Sequence, residues 1–156
     1  PLRAAEAIAL LPHTGLKIVL AGAVLEKHWQ AAIKAEQARN PRFEYLGELS
    51  RGRAITLIAR SRALVVSSVL EGGANVISEA CVLSTPVLAS RMDGMLGPKC
   101  PGYFKVGDSK ALAKLLQRLQ TEPAFERELT RHCTRLAAKF HPDKERAALA
   151  KLLRKL

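Results

Sequence analysis

Aromatic side chains are scarce in this chain, making up 4% of its 156 residues. Single-strand nucleic-acid binders stack bases on such rings, so little is available for that mode of recognition. Cysteine is rare as well. Cys81, Cys100 and Cys133 form no C-x-x-C pair, which indicates neither a disulfide framework nor a zinc knuckle and fits a reducing compartment. His132 beside Cys133, and His141 before Pro142, do not fall at metal-ligand spacing, and no metal is expected. No apolar run is long enough to span a bilayer, and the first residues lack the blocks of a signal peptide. A cytoplasmic protein is the expectation.

Charge of one sign, in contrast, is plentiful. The formal net charge is +11, and residues 101–156 hold 13 basic and 6 acidic side chains, against 6 and 5 in residues 1–50. Lys110, Lys114, Arg118, Arg127, Arg131, Arg135 and Lys139 recur at three- and four-residue intervals, the pattern of solvated helix faces. A peripheral contact with the inner face of a membrane is a second reading of this surface, and nucleic acid is not expected as a partner.

Helix and strand signals alternate along the chain. A helix over Leu2–Leu11 is closed by Pro12, an aliphatic strand over Leu16–Ala21 meets Gly22, and a helix over Glu26–Arg39 stops at Asn40-Pro41. Phe43–Leu46 reads as a strand ending at Gly47, Ser50 as the N-cap of a helix to Arg60, and Ala63–Val66 as a third strand. After a Gly-Gly turn, a helix from Asn75 to Leu83 leads to a strand at Val87–Ala89. A short strand at Tyr103–Val106 follows, then a helix capped by Asp108 or Ser109, and helices over Pro123–Phe140 and from Pro142 onward. This alternation predicts an α/β fold, a Rossmann-like parallel sheet with helices on both faces. Ligands of such sheets bind beyond the carboxyl ends of the strands, where Gly22, Gly47 and Glu71 lie.

The segment Ser67–Ser90 carries the chemistry. Glu71 and Glu79 stand eight positions apart around Gly72-Gly73, at a junction where a strand ends and a helix begins. Such a junction presents free backbone N–H groups and the positive end of a helix dipole to an anion, while carboxylates accept hydrogen bonds from sugar hydroxyls. A loop offering both suits a nucleotide-sugar. Read blandly, the glutamates are turn and surface carboxylates and Asn75 is an N-cap.

The order strand, Ser-Ser, Glu-Gly-Gly, helix, Glu-Ala, Thr-Pro-Val, strand resembles the E-x7-E signature of the group 1 glycosyltransferases, retaining enzymes of the GT-B fold. The likeness extends to Phe43–Gly47 and to Gly107-Asp108, and so covers most of the chain. Within the family, Glu71 to Ala80, Gly47-Glu48-Leu49-Ser50 and Pro101 to Phe104 look like the branch that includes the selenosugar synthases, which use a UDP-linked amino sugar. Ser84 and Ala74 stand where the wider family usually has glycine.

The resemblance implies that this is the donor-binding, C-terminal half of a GT-B enzyme, with a nucleotide-sugar, UDP-linked in that branch's manner, as substrate. It implies Glu71 as the residue at the donor sugar near the reacting carbon. It places the amides of Gly72, Gly73, Ala74, Asn75 and Val76 at the sugar and diphosphate, Glu79 at the ribose, and Gly22, Leu46 and Gly47 along the cleft and base. Family members carry an Arg and a Lys for the diphosphate just ahead of the first helix, whereas this sequence opens on that helix at Leu2-Arg3-Ala4. The expectation is a domain truncated at its N-terminus, without its acceptor-binding partner and inactive alone. A non-catalytic nucleotide-sugar-binding module and a basic interaction domain are the alternatives.

Overall fold

The computed structural model describes residues 2–68, 75–91, 96–97, 99–138 and 140. Short strands β1 (Ile18–Leu20), β2 (Phe43–Tyr45), β3 (Leu64–Val66), β4 (Val87–Ser90) and β5 (Tyr103–Phe104) alternate with helices. These are α1 (Arg3–Ala9), α2 (Lys27–Arg39), α3 (Arg51–Arg60), α4 (Asn75–Val82) and α5 (Ser109–Thr121), with α6 (Pro123–Ala137) after α5. The helix expected from Pro142 onward lies outside the described residues. Among the described residues, no helix is long and apolar enough to cross a membrane.

Among the described residues all strand pairs are parallel, as the alternation requires. Ile18 registers with Phe43, Leu64 with Val87, and Ala89 with Tyr103. β4 is buried along its whole length, and its side chains alternate between two cores. Leu88 joins α1, α5 and the start of α6 through Ala7, Leu112 and Phe125. Val87 and Ala89 face the other way, onto Ile58, Ile77, Cys81 and Cys133. Helices therefore cover both faces of the sheet.

The strands are divided between two sheets, β1-β2 and β3-β4-β5. Between β1 and β3 runs a cavity of about 700 Å³, lined by both strands and by Ala4, Leu57, Leu116 and Leu119. β1 is as aliphatic as β4, yet Val19 is 39% exposed. The difference is physical: among the described residues β4 has a hydrogen-bonded neighbour on each side, whereas β1 and β3 each have one.

Local signals set most element ends. The Asp108 carboxylate accepts from the Ala111 N–H at 2.8 Å and caps α5. Pro123 opens α6, where a missing N–H costs nothing. Ser50 sits at the N-cap of α3 with extended backbone but makes no side-chain capping bond.

Arg42 closes α1. Its guanidinium donates to the carbonyls of Ile8 (2.8 Å) and Leu11 (2.6 Å) and to Thr14 Oγ1 (3.1 Å), satisfying acceptors that a helix end leaves without intrahelical donors. At the other end of α1, Ser109 Oγ donates to Glu6 Oε2 at 2.6 Å. Burial pushes the Glu6 carboxyl up, but the bonds from Ser109 and Arg3 outweigh it and hold that carboxyl below its ordinary range. Because the folded value is depressed, this tie between α1 and α5 is present above the ordinary carboxylate range and is lost as pH falls through the lowered value. Arg42→Met is expected to destabilise the domain by about 2 kcal/mol, from lost charge-assisted hydrogen bonds, measured by urea unfolding.

Ser84 follows α4 with φ of 58°, and its N–H donates to Cys81 O at 3.0 Å. A left-handed residue there suits glycine, and a side chain costs about 1–2 kcal/mol. Thr134 Oγ1 donates to Ser84 Oγ at 3.2 Å at an exposed position, which offsets part of that cost. Ser84→Gly should therefore stabilise by about 0.5–1 kcal/mol, visible as a rise of about 1–4 °C in Tm for a chain of this size.

Candidate functional site

The loops after β1 and β2 meet at the carboxyl ends of their strands. Leu46 N–H donates to Leu20 O (2.9 Å), Gly22 N–H donates to Gly47 O (2.8 Å), and Tyr45 Oη donates to Gly22 O (2.9 Å). Gly47 turns the chain with φ of 69°, a conformation that costs glycine nothing. Leu46 keeps 41% of its surface exposed beside this turn. Gly22, Leu46 and Gly47 thus form one small platform, as their positions in the sequence suggest.

The turn also delivers the start of α3. Arg51, its first residue, places Nη2 3.7 Å from Glu79 Oε1, with side-chain exposures of 87% and 25%. Glu79 lies on α4, and this contact brings the loop after β2 and the helix after β3 to the same crevice. An exposed pair of this kind adds little stability. It leaves a carboxylate able to accept hydrogen bonds from hydroxyls and an exposed guanidinium beside it, a combination suited to a ligand bearing both hydroxyls and phosphate.

Asn75 is the first residue of α4 and is exposed, and its carbonyl accepts from Ser78 Oγ at 2.7 Å. This asparagine belongs to the first turn of α4. Val76 is half-buried, packed beside Ile77 and the core under β3 and β4. Glu71, Gly72, Gly73 and Ala74 lie outside the described residues.

Two cations at this end of the sheet escaped sequence reasoning. Arg51 is one. Arg91, the first residue after β4, is the other; its N–H donates to Phe104 O at 2.7 Å and its guanidinium lies 5.3 Å from the centre of the Tyr103 ring. A basic residue directly after a strand, or at the start of a helix leaving the carboxyl edge, is the signal that finds both. Beside Arg91, the buried Ser90 hydroxyl donates to Ser68 O at 2.6 Å and ties the end of β4 to the segment after β3.

The basic residues of α5 and α6 are exposed, as the spacing predicts, from Lys110 and Lys114 to Arg131 and Arg135. The three thiols are free and buried. Cys133 and then burial raise the Cys81 pKa, and burial pushes Cys100 up to about 11, so these two stay protonated and unreactive at neutral pH. His132 Nε2 donates to Leu96 O at 2.8 Å.

Residues 2–140 match the family described as glycosyl transferases group 1. The chain belongs to this family. Solved structures agree on the fold. A sucrose-phosphate synthase from Thermosynechococcus elongatus superposes with a TM-score of 0.78 at 22% identity, over 99% of this chain and 41% of that one. The GtfA/B complex gives 0.78 at 17% identity, over 99% and 32%. TarM gives 0.76 at 16%, over 98% and 31%. These likenesses establish the Rossmann-like α/β architecture of GT-B glycosyltransferases. The chain spans less than half the length of each of these proteins.

Proposed function

We propose that this group 1 glycosyltransferase domain is the donor-binding half of the enzyme, taking a nucleotide diphosphate sugar at the carboxyl edge of its sheet and supporting transfer with retention. The observation that carries this reading is the Arg51–Glu79 contact, which sets a carboxylate and a cation beside the Leu46-Gly47 turn. In this reading Glu79 accepts the ribose hydroxyls and Leu46 and Gly47 border the base. Gly22 lines the cleft, and Glu71 positions the donor sugar. The amides from Gly72 to Val76 and the N-terminus of α4 meet the sugar and diphosphate.

Stabilising the departing diphosphate is the main electrostatic task of such a transfer. The helix dipole and basic side chains perform it here, and no metal is assigned. The narrower resemblance to the selenosugar-synthase branch supports a UDP-linked amino sugar as donor. The acceptor-binding half belongs to a partner domain outside residues 1–156, so residues 1–156 alone bind donor weakly and do not catalyse transfer.

Calorimetric titration of UDP and UDP-N-acetylglucosamine into the parent and Glu71→Ala tests the assignment. Glu71→Ala should bind UDP like the parent and lose any extra affinity that the sugar confers. Equal losses for both ligands would remove Glu71 from the sugar site.

A further inference from the structure

α6 passes beneath the amino ends of the strands. Its Glu126 meets Arg62, which stands just before β3, at 2.7 Å, and Thr134 Oγ1 donates to Ser84 Oγ ahead of β4. Leu129 packs at Gly102, directly before β5. The candidate donor crevice lies at the carboxyl ends, so the outward face of α6 belongs to the opposite pole of the sheet.

That face is a row of arginines. Phe125, Leu129 and Cys133 are buried at four-residue spacing. Arg127, Arg131 and Arg135 each follow one of them by two positions, about 200° round the helix, and all three are exposed. The row is about 12 Å long. Its charge is not neutralised within the fold. Arg3, Arg39, Arg62 and Arg118 each meet a carboxylate, whereas among the described residues Arg127, Arg131 and Arg135 meet none. Instead, Arg131 Nε donates to Arg127 O and Arg135 Nε to Arg131 O, each at 3.3 Å. Glu128 is the one exposed acid of α6. Cations at four-residue spacing repel and cost a helix stability, a cost that an anionic surface laid against the row removes.

Apolar side chains border the row. Thr134 lies on the same face, and its contact with Ser84 brings up the end of α4, where Val82 is 62% exposed. Phe140, whose N–H donates to Ala137 O at the close of α6, is 38% exposed. A bilayer interface takes up such side chains beside cations, whereas a nucleic-acid backbone offers them only phosphate and water. Further along the sequence, residues 141–156 hold five basic side chains against two acidic ones.

We propose that the outward face of α6, with Val82 and Phe140 at its margin, docks on an anionic lipid surface through Arg127, Arg131 and Arg135. Docked in this way, the domain turns the carboxyl ends of its strands away from the bilayer. The inference does not rest on the donor reading, because its test reads lipid and not nucleotide.

Sedimentation of residues 1–156 with vesicles decides it, comparing equal parts phosphatidylglycerol and phosphatidylcholine with phosphatidylcholine alone. The expected result is binding to the anionic vesicles only, released as added salt screens the charges. Arg127→Gln, Arg131→Gln and Arg135→Gln combined should weaken that binding by about 100-fold, roughly fivefold for each basic residue at such a surface. Lys110→Gln with Lys114→Gln, at exposed positions of α5, is the charge control and should retain most of the binding. Arg131→Glu alone provides a second reading should the triple variant not fold, and it should weaken binding by about tenfold or more. Failure to bind anionic vesicles, equal binding to neutral ones, a triple variant that binds like the parent, or an equal loss in the α5 control would each overturn the inference. So would tighter binding to a short DNA duplex than to vesicles, lost in the same triple variant, because the row would then belong to nucleic acid.

Discussion

Gly102→Ala should cost the domain about 3 kcal/mol or more. A Cβ at this position would lie 2.3 Å from the Val87 carbonyl oxygen, 2.9 Å from Leu129 Cδ2 and 3.3 Å from Leu88 Cδ2. Overpacking ordinarily costs about 1–3 kcal/mol because flexible side chains give way. Here the nearest atom is backbone, and Gly102 O accepts the Ala89 N–H at 3.0 Å, so relief requires β4 and the entry to β5 to part. The loss is a large share of the ~5–15 kcal/mol that a domain typically has. Urea unfolding measures it, with Gly52→Ala as the control. Gly52 lies in α3 with nothing within 4 Å of a Cβ, so alanine there should stabilise by about 0.5–1 kcal/mol. Similar effects at the two positions would contradict the packing described at Gly102.

Glu79→Ala should lower affinity for UDP by about 10- to 100-fold while lowering Tm by no more than about 4 °C. Hydrogen bonds to a charged group contribute about 1.5–3 kcal/mol, which converts to that range of affinity. In the folded domain Glu79 meets Arg51, whose side chain is 87% exposed, and exposed pairs add about 0–1 kcal/mol. Separation of the two readouts is the point. A variant that lost stability and affinity together would mark Glu79 as a structural residue of α4. A variant that bound UDP like the parent would remove it from the nucleotide site.

Much of the architecture was legible because the signals were local. The Asn40-Pro41 stop, the glycine after each of β1 and β2, the Asp108 cap and the Pro123 start all coincide with element ends. Two strands are shorter than the runs that predict them, β1 covering Ile18–Leu20 and β5 Tyr103–Phe104, because ladder bonds rather than composition end a strand. Division of the strands into two sheets was not legible. Ile18-Val19-Leu20 and Leu64-Val65-Val66 read as interior strands, and which edge lacks a neighbour is a property of the assembled topology.

At the candidate site, the grouping of Gly22, Leu46 and Gly47 followed from their positions after strands, since parallel strands bring their carboxyl ends together. The approach of Arg51 to Glu79 did not. Those residues are far apart in sequence and meet only because α3 and α4 leave neighbouring loops of the folded chain. Ser84 shows the opposite case. Its left-handed backbone follows from its position just after a helix, where glycine is the common occupant.

Amide shifts of the ¹⁵N-labelled domain during titration with UDP, and then with UDP-N-acetylglucosamine, test the central claim most directly. The account predicts that UDP moves Leu46, Gly47, Arg51 and Glu79 together, and that the sugar-bearing ligand adds shifts from Gly72 to Val76. Shifts confined to the exposed basic faces of α5 and α6, with α4 and the Gly47 turn unmoved, would contradict it.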